Sequence, residues 1–130
     1  MGIKRQLKQV EKTFSKNRGK FLYRGPNGGY VFMRSSWEVL YAQWLDQKKI
    51  SWVYEPFAFR VSSNTFYFPD FYLSKEKIWI EIKGRLLPSA AQKMKEFQAL
   101  YPNEKLVMLQ KADLEALGVL EKSTHHRKKI

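Results

Sequence analysis

The order of helix-like and strand-like segments predicts an α/β domain with a mixed central sheet and flanking helices. Three observations carry that expectation. A helical stripe precedes a run of strand-like segments over 51–82. A helix and one more short apolar strand then follow, which leaves room for a single parallel crossover. With 130 residues, 44% hydrophobic and 15% aromatic, the chain is long enough and apolar enough for one core but not two.

Each element has its own signal. Residues 3–16 place Ile3, Leu7, Val10 and Phe14 at spacings of three and four, which predicts an amphipathic helix with a basic outer face. RGPNGG at 24–29 breaks regular structure and reads as a surface turn or a phosphate-contacting loop. Ser35 opens a helix over about 36–48, with Glu38 at the capping-box spacing and Trp37, Leu40, Tyr41, Trp44 and Leu45 as its apolar stripe. SWVYEPFAFR (51–60) reads as a strand that Pro56 confines to an edge or a bulge. VSSNT turns the chain, FYFPDFYL is the antiparallel partner, and SKEK turns it again into IWIEIKG, a three-strand meander. Pro88 begins a helix over 89–101 that Pro102 stops; KLVMLQ is a fourth strand, and KADLEALGVL is a short helix ended by Gly118.

The net charge is +12, with 24 Lys and Arg against 12 Asp and Glu, and it lies mostly at the ends. Residues 1–20 hold seven basic groups with Glu11 alone opposing them, and residues 121–130 hold four with Glu121. Basic ends around a near-neutral body predict a polyanionic partner, with DNA or RNA first. The absence of cysteine rules out disulfides, a thiol nucleophile and thiolate metal sites, and fits a reducing compartment. No apolar run approaches the roughly 20 residues of a membrane span, so a cytoplasmic protein with no membrane partner is expected.

The chemistry is predicted where charges interrupt an apolar strand. In IWIEIKG, Ile78, Ile80 and Ile82 point one way, and Trp79, Glu81 and Lys83 the other. Asp70 follows Pro69 near the end of the preceding strand, and a hairpin can bring it beside Glu81. Two carboxylates that meet at a sheet edge repel unless a proton or cation lies between them. Mg²⁺ accepts such oxygen ligands and suits phosphate chemistry, and Lys83 could orient or deprotonate a water or neutralise charge on a phosphorane. The competing role of Glu81 and Lys83 is a solvated surface pair.

Pro69-Asp70 followed by Glu81-Ile82-Lys83 resembles the signature of the PD-(D/E)xK nucleases, and the predicted element order matches their restriction-endonuclease-like core. The resemblance implies that Asp70 and Glu81 bind Mg²⁺, with Mn²⁺ as substitute, and that Lys83 assists hydrolysis. Many members add a carboxylate from the helix before the meander, and Glu38 stands there; reaching back to its own helix start would compete with that role. YFPDFYL and IEIKG, with a lysine-containing helix, a proline and a strand after them, resemble the small Holliday-junction-resolving endonucleases of T-odd bacteriophages over roughly 33–110. That likeness implies a homodimer cutting branched or four-way DNA. Sequence-preferring homing, nicking or transposase-type endonucleases share the layout. A non-catalytic DNA-binding protein is the remaining alternative.

Phosphate contacts are expected from Arg85 and Lys93 beside the acidic cluster and from Lys20, Arg24 and Arg34 around the glycine-rich turn. Lys4, Arg5 and Lys8 on the first helix, and the tail from 121, would hold DNA flanking the cut. One nuclease domain over 1–130 accounts for the whole chain.

Overall fold

The computed structural model describes residues 19–62 and 64–122. The expected helix over 3–16, with Lys4, Arg5 and Lys8, lies outside the described residues, as does the tail from 123. The described chain is a small α/β domain in which three helices flank a mixed sheet. A hairpin comes first, β1 (Phe21–Arg24) and β2 (Tyr30–Met33), then helix α1 (Ser36–Gln47). Strands β3 (Val53–Tyr54), β4 (Phe59–Ser62), β5 (Thr65–Tyr67), β6 (Phe71–Leu73) and β7 (Ile78–Ile82) come next. Helix α2 (Pro88–Leu100), strand β8 (Lys105–Leu109) and helix α3 (Lys111–Leu117) complete it.

The central sheet has the order β3-β6-β7-β8. β7 pairs antiparallel with β6, Phe71 opposite Ile80, and parallel with β8, Ile82 opposite Leu109. Helix α2 makes the crossover between the two parallel strands, so the mixed sheet is as the element order predicted.

Alternation along β7 sends side chains into two cores. Ile80 and Ile82 join Phe71 and Leu73 against Tyr41, Ala42 and Leu45 of α1 and Leu114 of α3. On the other face Trp79 packs with Phe59, Val61, Tyr67, Phe97 and Tyr101. Phe59 meets Trp79 edge to face, with ring centroids 5.2 Å apart and planes at 88°, the geometry aromatic quadrupoles favour. Truncating a fully buried ring such as Phe97 or Phe71 to alanine should cost about 3–5 kcal/mol.

Two local expectations need correction. The residues flanking the glycine-rich turn form strands, because Tyr23 and Met33 alternate into the core and Gly28 takes the left-handed φ of 91° that closes the hairpin. The segment 51–60 is not one strand. It pairs with β6 through β3, breaks over Glu55–Ala58, and resumes as β4, which pairs with β5 in a separate two-stranded sheet. The meander is therefore one long ribbon bent in the middle, with a proline on each arm at the bend, Pro56 and Pro69, where neither can donate to a ladder. Gly84 stands at a bend, without a positive φ. Its small size matters instead: a Cβ there would stand 3.3 Å from the Trp37 ring, which packs the first turn of α1 against the end of β7.

Candidate active site

At the bend of the ribbon the antiparallel pairing of β6 stops one residue short of Asp70. The register that sets Phe71 opposite Ile80 carries Asp70 opposite Glu81, on the face Trp79 also uses. The Ile82 N–H points toward the arm that has left the ladder, and Asp70 Oδ2 accepts it at 2.7 Å in place of a backbone carbonyl. Pro69, fully buried, holds the departing chain.

Asp70 and Glu81 line one pocket of about 340 Å³ with Glu38, Glu55, Arg34, Lys83, Lys93, Tyr67 and the first turn of α2. All four carboxylates are buried, at 5% exposure or less. A larger cavity, about 570 Å³, opens between the hairpin tip and the C-terminal end of α1, but Asp46 is its lone carboxylate. The crowded acids belong to the smaller pocket.

Each acid has a distinct anchorage. Glu81 Oε1 accepts the Tyr67 hydroxyl at 2.6 Å, and Lys83 Nζ lies 3.0 Å from Oε2. The Glu81 side chain is 4% exposed, so this is no solvated surface pair. Glu38 resolves its expected competition in an unforeseen way. Ser35 Oγ does accept the Glu38 N–H at 3.2 Å, as an N-cap should. The return bond, however, goes past Ser35: Glu38 Oε1 accepts the Arg34 N–H at 2.9 Å and the Tyr54 hydroxyl at 2.7 Å. The carboxylate thereby faces the pocket while still tying the chain ahead of the helix.

Crowding acids in a dry place raises their proton affinity. The Asp70 carboxyl is held well above the usual range, first by burial, then by Glu81 and Glu38, with the Ile82 N–H pulling the other way. Burial also raises Glu81, against the opposing pull of Tyr67 and Lys83. Burial would lower Lys83, but Glu81, Asp70 and Glu38 outweigh it and its pKa ends above the ordinary value. The acids thus hold Lys83 toward its ammonium form.

Of the predicted phosphate contacts, Arg34 and Lys93 line the pocket. Arg85 is exposed on the loop after Lys83, outside the pocket lining. Lys20 and Arg24 lie at the hairpin, with the Arg24 guanidinium 5.5 Å from the Tyr30 ring centroid. Glu55 is the residue that sequence reasoning missed. Its signal is the same as that of Glu81, an acid inside an apolar run, here immediately before Pro56. Burial, with smaller contributions from Glu38 and Glu81, lifts its carboxyl to about 7 despite the Arg34 charge and a bond from Tyr54.

The donor set fits a divalent cation in kind: all oxygen, with two opposed carboxylates whose repulsion a cation would relieve. Among the described residues no three His, Cys, Asp or Glu side chains stand ready-made as a cage. Glu38 is already engaged by two donors, which leaves Asp70 and Glu81 as the pair. Mg²⁺ is commonly held by one or two carboxylates plus waters. Also among the described residues, no helix is long and apolar enough to cross a membrane. Comparison with protein-family models, with curated proteins and with solved structures gave no significant match, so geometry and chemistry alone carry the functional reading.

Proposed function

We propose that this chain is a Mg²⁺-dependent DNA endonuclease of the PD-(D/E)xK kind, hydrolysing phosphodiester bonds in branched DNA as a homodimer. The observation that carries the reading is the convergence of Asp70, Glu81 and Lys83 on one pocket at the end of β7, in a chain of net charge +12. Asp70 and Glu81 would hold the ion, with Glu38 as a further carboxylate; when bound it supplies a water of lowered pKa and offsets charge on the phosphate.

The protein's own groups do the rest. Tyr67 fixes the Glu81 carboxylate from one side and Lys83 from the other, so the acid cannot swing away as substrate arrives. The Ile82 N–H does the same for Asp70. Lys83, at the pocket beside Glu81, would offset negative charge that grows on the phosphorus oxygens in the transition state, an electrostatic contribution of the type worth about 10²–10³ in rate. Helix α2 begins at the pocket with no acid in its first turn and no side-chain cap on its leading N–H groups, so its dipole favours an anion there. Four-way geometry would be read through phosphates, with the basic ends gripping flanking arms.

The test is a cleavage panel with Mg²⁺ on four-way junction, fork, mismatch, single strand and linear duplex. Paired, symmetric nicks in the junction and much slower cutting of the duplex are expected. One sequence cut regardless of branching would replace the junction reading with a sequence-preferring endonuclease. No hydrolysis of any DNA with Mg²⁺ or Mn²⁺, together with no metal binding by calorimetry, would leave a non-catalytic DNA-binding protein.

A further inference from the structure

The nuclease reading uses Asp70, Glu81, Lys83 and Glu38, and leaves a second charged assembly in the same pocket without a task. Arg34 and Glu55 meet there at two points: Nη2 to Oε1 at 3.3 Å and an ion pair between Nε and Oε2 at 3.2 Å. The arginine is fixed along its whole length. Its backbone N–H is taken by Glu38 Oε1 and lies 3.2 Å from the Tyr54 hydroxyl. Its guanidinium lies over the Phe68 ring, 5.8 Å from the centroid. Yet its side chain remains 48% exposed at the pocket.

Glu55 is held at some cost. Its φ is +42°, a left-handed conformation rare for a residue with a side chain and further disfavoured before proline. Its N–H donates to the Asp70 carbonyl at 2.8 Å, which ties the bend of one arm to the other at the acid pair. Its side chain is 1% exposed. Strain of this kind persists where the surroundings over-determine it, and it clusters at functional sites. A surface arginine needs no such support, since a solvated ion pair contributes about 0–1 kcal/mol. A guanidinium that must meet a phosphate does gain from it, because side-chain entropy is lost before binding rather than at binding. The pocket needs such a group: four carboxylates against Arg34, Lys83 and Lys93 leave its lining at a formal −1 in a strongly basic protein.

We propose that Glu55 is a positioning residue that presents the Arg34 guanidinium to a phosphate oxygen of DNA entering the pocket. In taking DNA as the anion, the inference rests on the nuclease reading. It does not depend on hydrolysis.

The test is equilibrium binding of the full chain to a labelled four-way junction in EDTA, titrated against salt, with each variant's melting curve as the check on folding. Arg34→Gln should bind about tenfold more weakly and lower the slope of log K against log salt by about 0.9, one phosphate. Glu55→Gln removes a negative charge, so charge alone predicts tighter binding and an unchanged slope. Positioning predicts the opposite: weaker binding, the same loss of slope, and a double variant no worse than Arg34→Gln. Arg34→Lys keeps the charge but loses the two-point bridge, and should also lose binding. Wild-type behaviour of Arg34→Lys, tighter binding by a folded Glu55→Gln, or fully additive losses would overturn the proposal, as would absence of DNA binding by the wild type. If the wild type binds as expected but never cuts, the nuclease reading fails and this one stands.

Discussion

The two ends of helix α1 each hold a carboxylate that accepts two hydrogen bonds, and the contrast between them locates the site. At the C-terminal end Asp46 takes the Tyr23 hydroxyl and, at 2.9 Å, the Trp52 indole N–H. Both donors are neutral, no second acid shares its cavity, and the group is at rest. The Tyr23 hydroxyl is pushed up to about 12 by burial and by Asp46, so it stays a donor. At the other end Glu38 is just as well bonded but shares its pocket with three more carboxylates. Hydrogen bonds satisfy Glu38 as an acceptor without cancelling the repulsion that reaches Asp70 and Glu81. Size points the wrong way, since the quiet end borders the larger cavity. What sets the candidate site apart is charge that the fold leaves unresolved.

The sharpest way to break that contrast is to remove one of the opposed acids. Asp70→Asn and Glu81→Gln should each reduce junction cleavage about 10³-fold or more, while melting temperature holds or rises because repulsion is relieved. A variant that cuts at the wild-type rate would end the assignment. Lys83→Met should lower the rate about 10²-fold.

The next effect is on stability against pH. Glu55 binds its proton more tightly folded than unfolded, with a pKa of about 7 against 4.5. Its contribution is therefore fully present below pH 4.5 and is lost as pH rises through about 7, a decline of about 3 kcal/mol at most. Asp70 and Glu81 are shifted in the same direction and steepen it. Melting in metal-free buffer should show this fall, Glu55→Gln should flatten it, and Mg²⁺ should raise the melting temperature at pH 8. An apoprotein more stable at pH 8 than at pH 5 would contradict the crowding.

How much of this was legible in the sequence depends on distance along the chain. The Ile/Glu alternation in β7, the Ser35 cap, the parallel crossover and the Gly118 stop are local patterns, and each appears where the residues placed it. Asp70 beside Glu81 needed a hairpin register, which the short SKEK turn nearly fixes. The bend in the ribbon was not legible, because Pro56 could equally have marked an edge or a bulge; pairing with β6 on one side and β5 on the other decides it. Glu55 stayed hidden for the same reason. Its partner Arg34 is 21 residues away and meets it through α1 and β3. The strands of the first hairpin were masked by their glycine-rich turn, with exposed Leu22, Tyr30 and Phe32 obscuring the inward alternation of Tyr23 and Met33.

Two smaller perturbations test the quiet end and the joint between helix and strand. Asp46→Asn should cost about 1–2 kcal/mol in denaturant unfolding, since an amide cannot accept both donors equally well, and should leave cleavage within about twofold. A large loss of activity would make the two ends alike after all. Gly84→Ala presses on the Trp37 ring. It should cost under about 1 kcal/mol and slow cleavage a few-fold by shifting Glu38, read as a change in rate at nearly constant melting temperature.

The bent ribbon has a mechanical consequence. Because its ladder is interrupted between the β4–β5 tip and the β3–β6 root, the tip is joined to the acids at the bend by a side chain, the Tyr67 hydroxyl on Glu81. A register slip at the tip is not carried along the ladder to Asp70, but it reaches Glu81 if it turns Tyr67 to the other face. The connection between β4 and β5 can thus vary in length without disturbing the acids as long as it keeps the register that sets Phe59 opposite Tyr67.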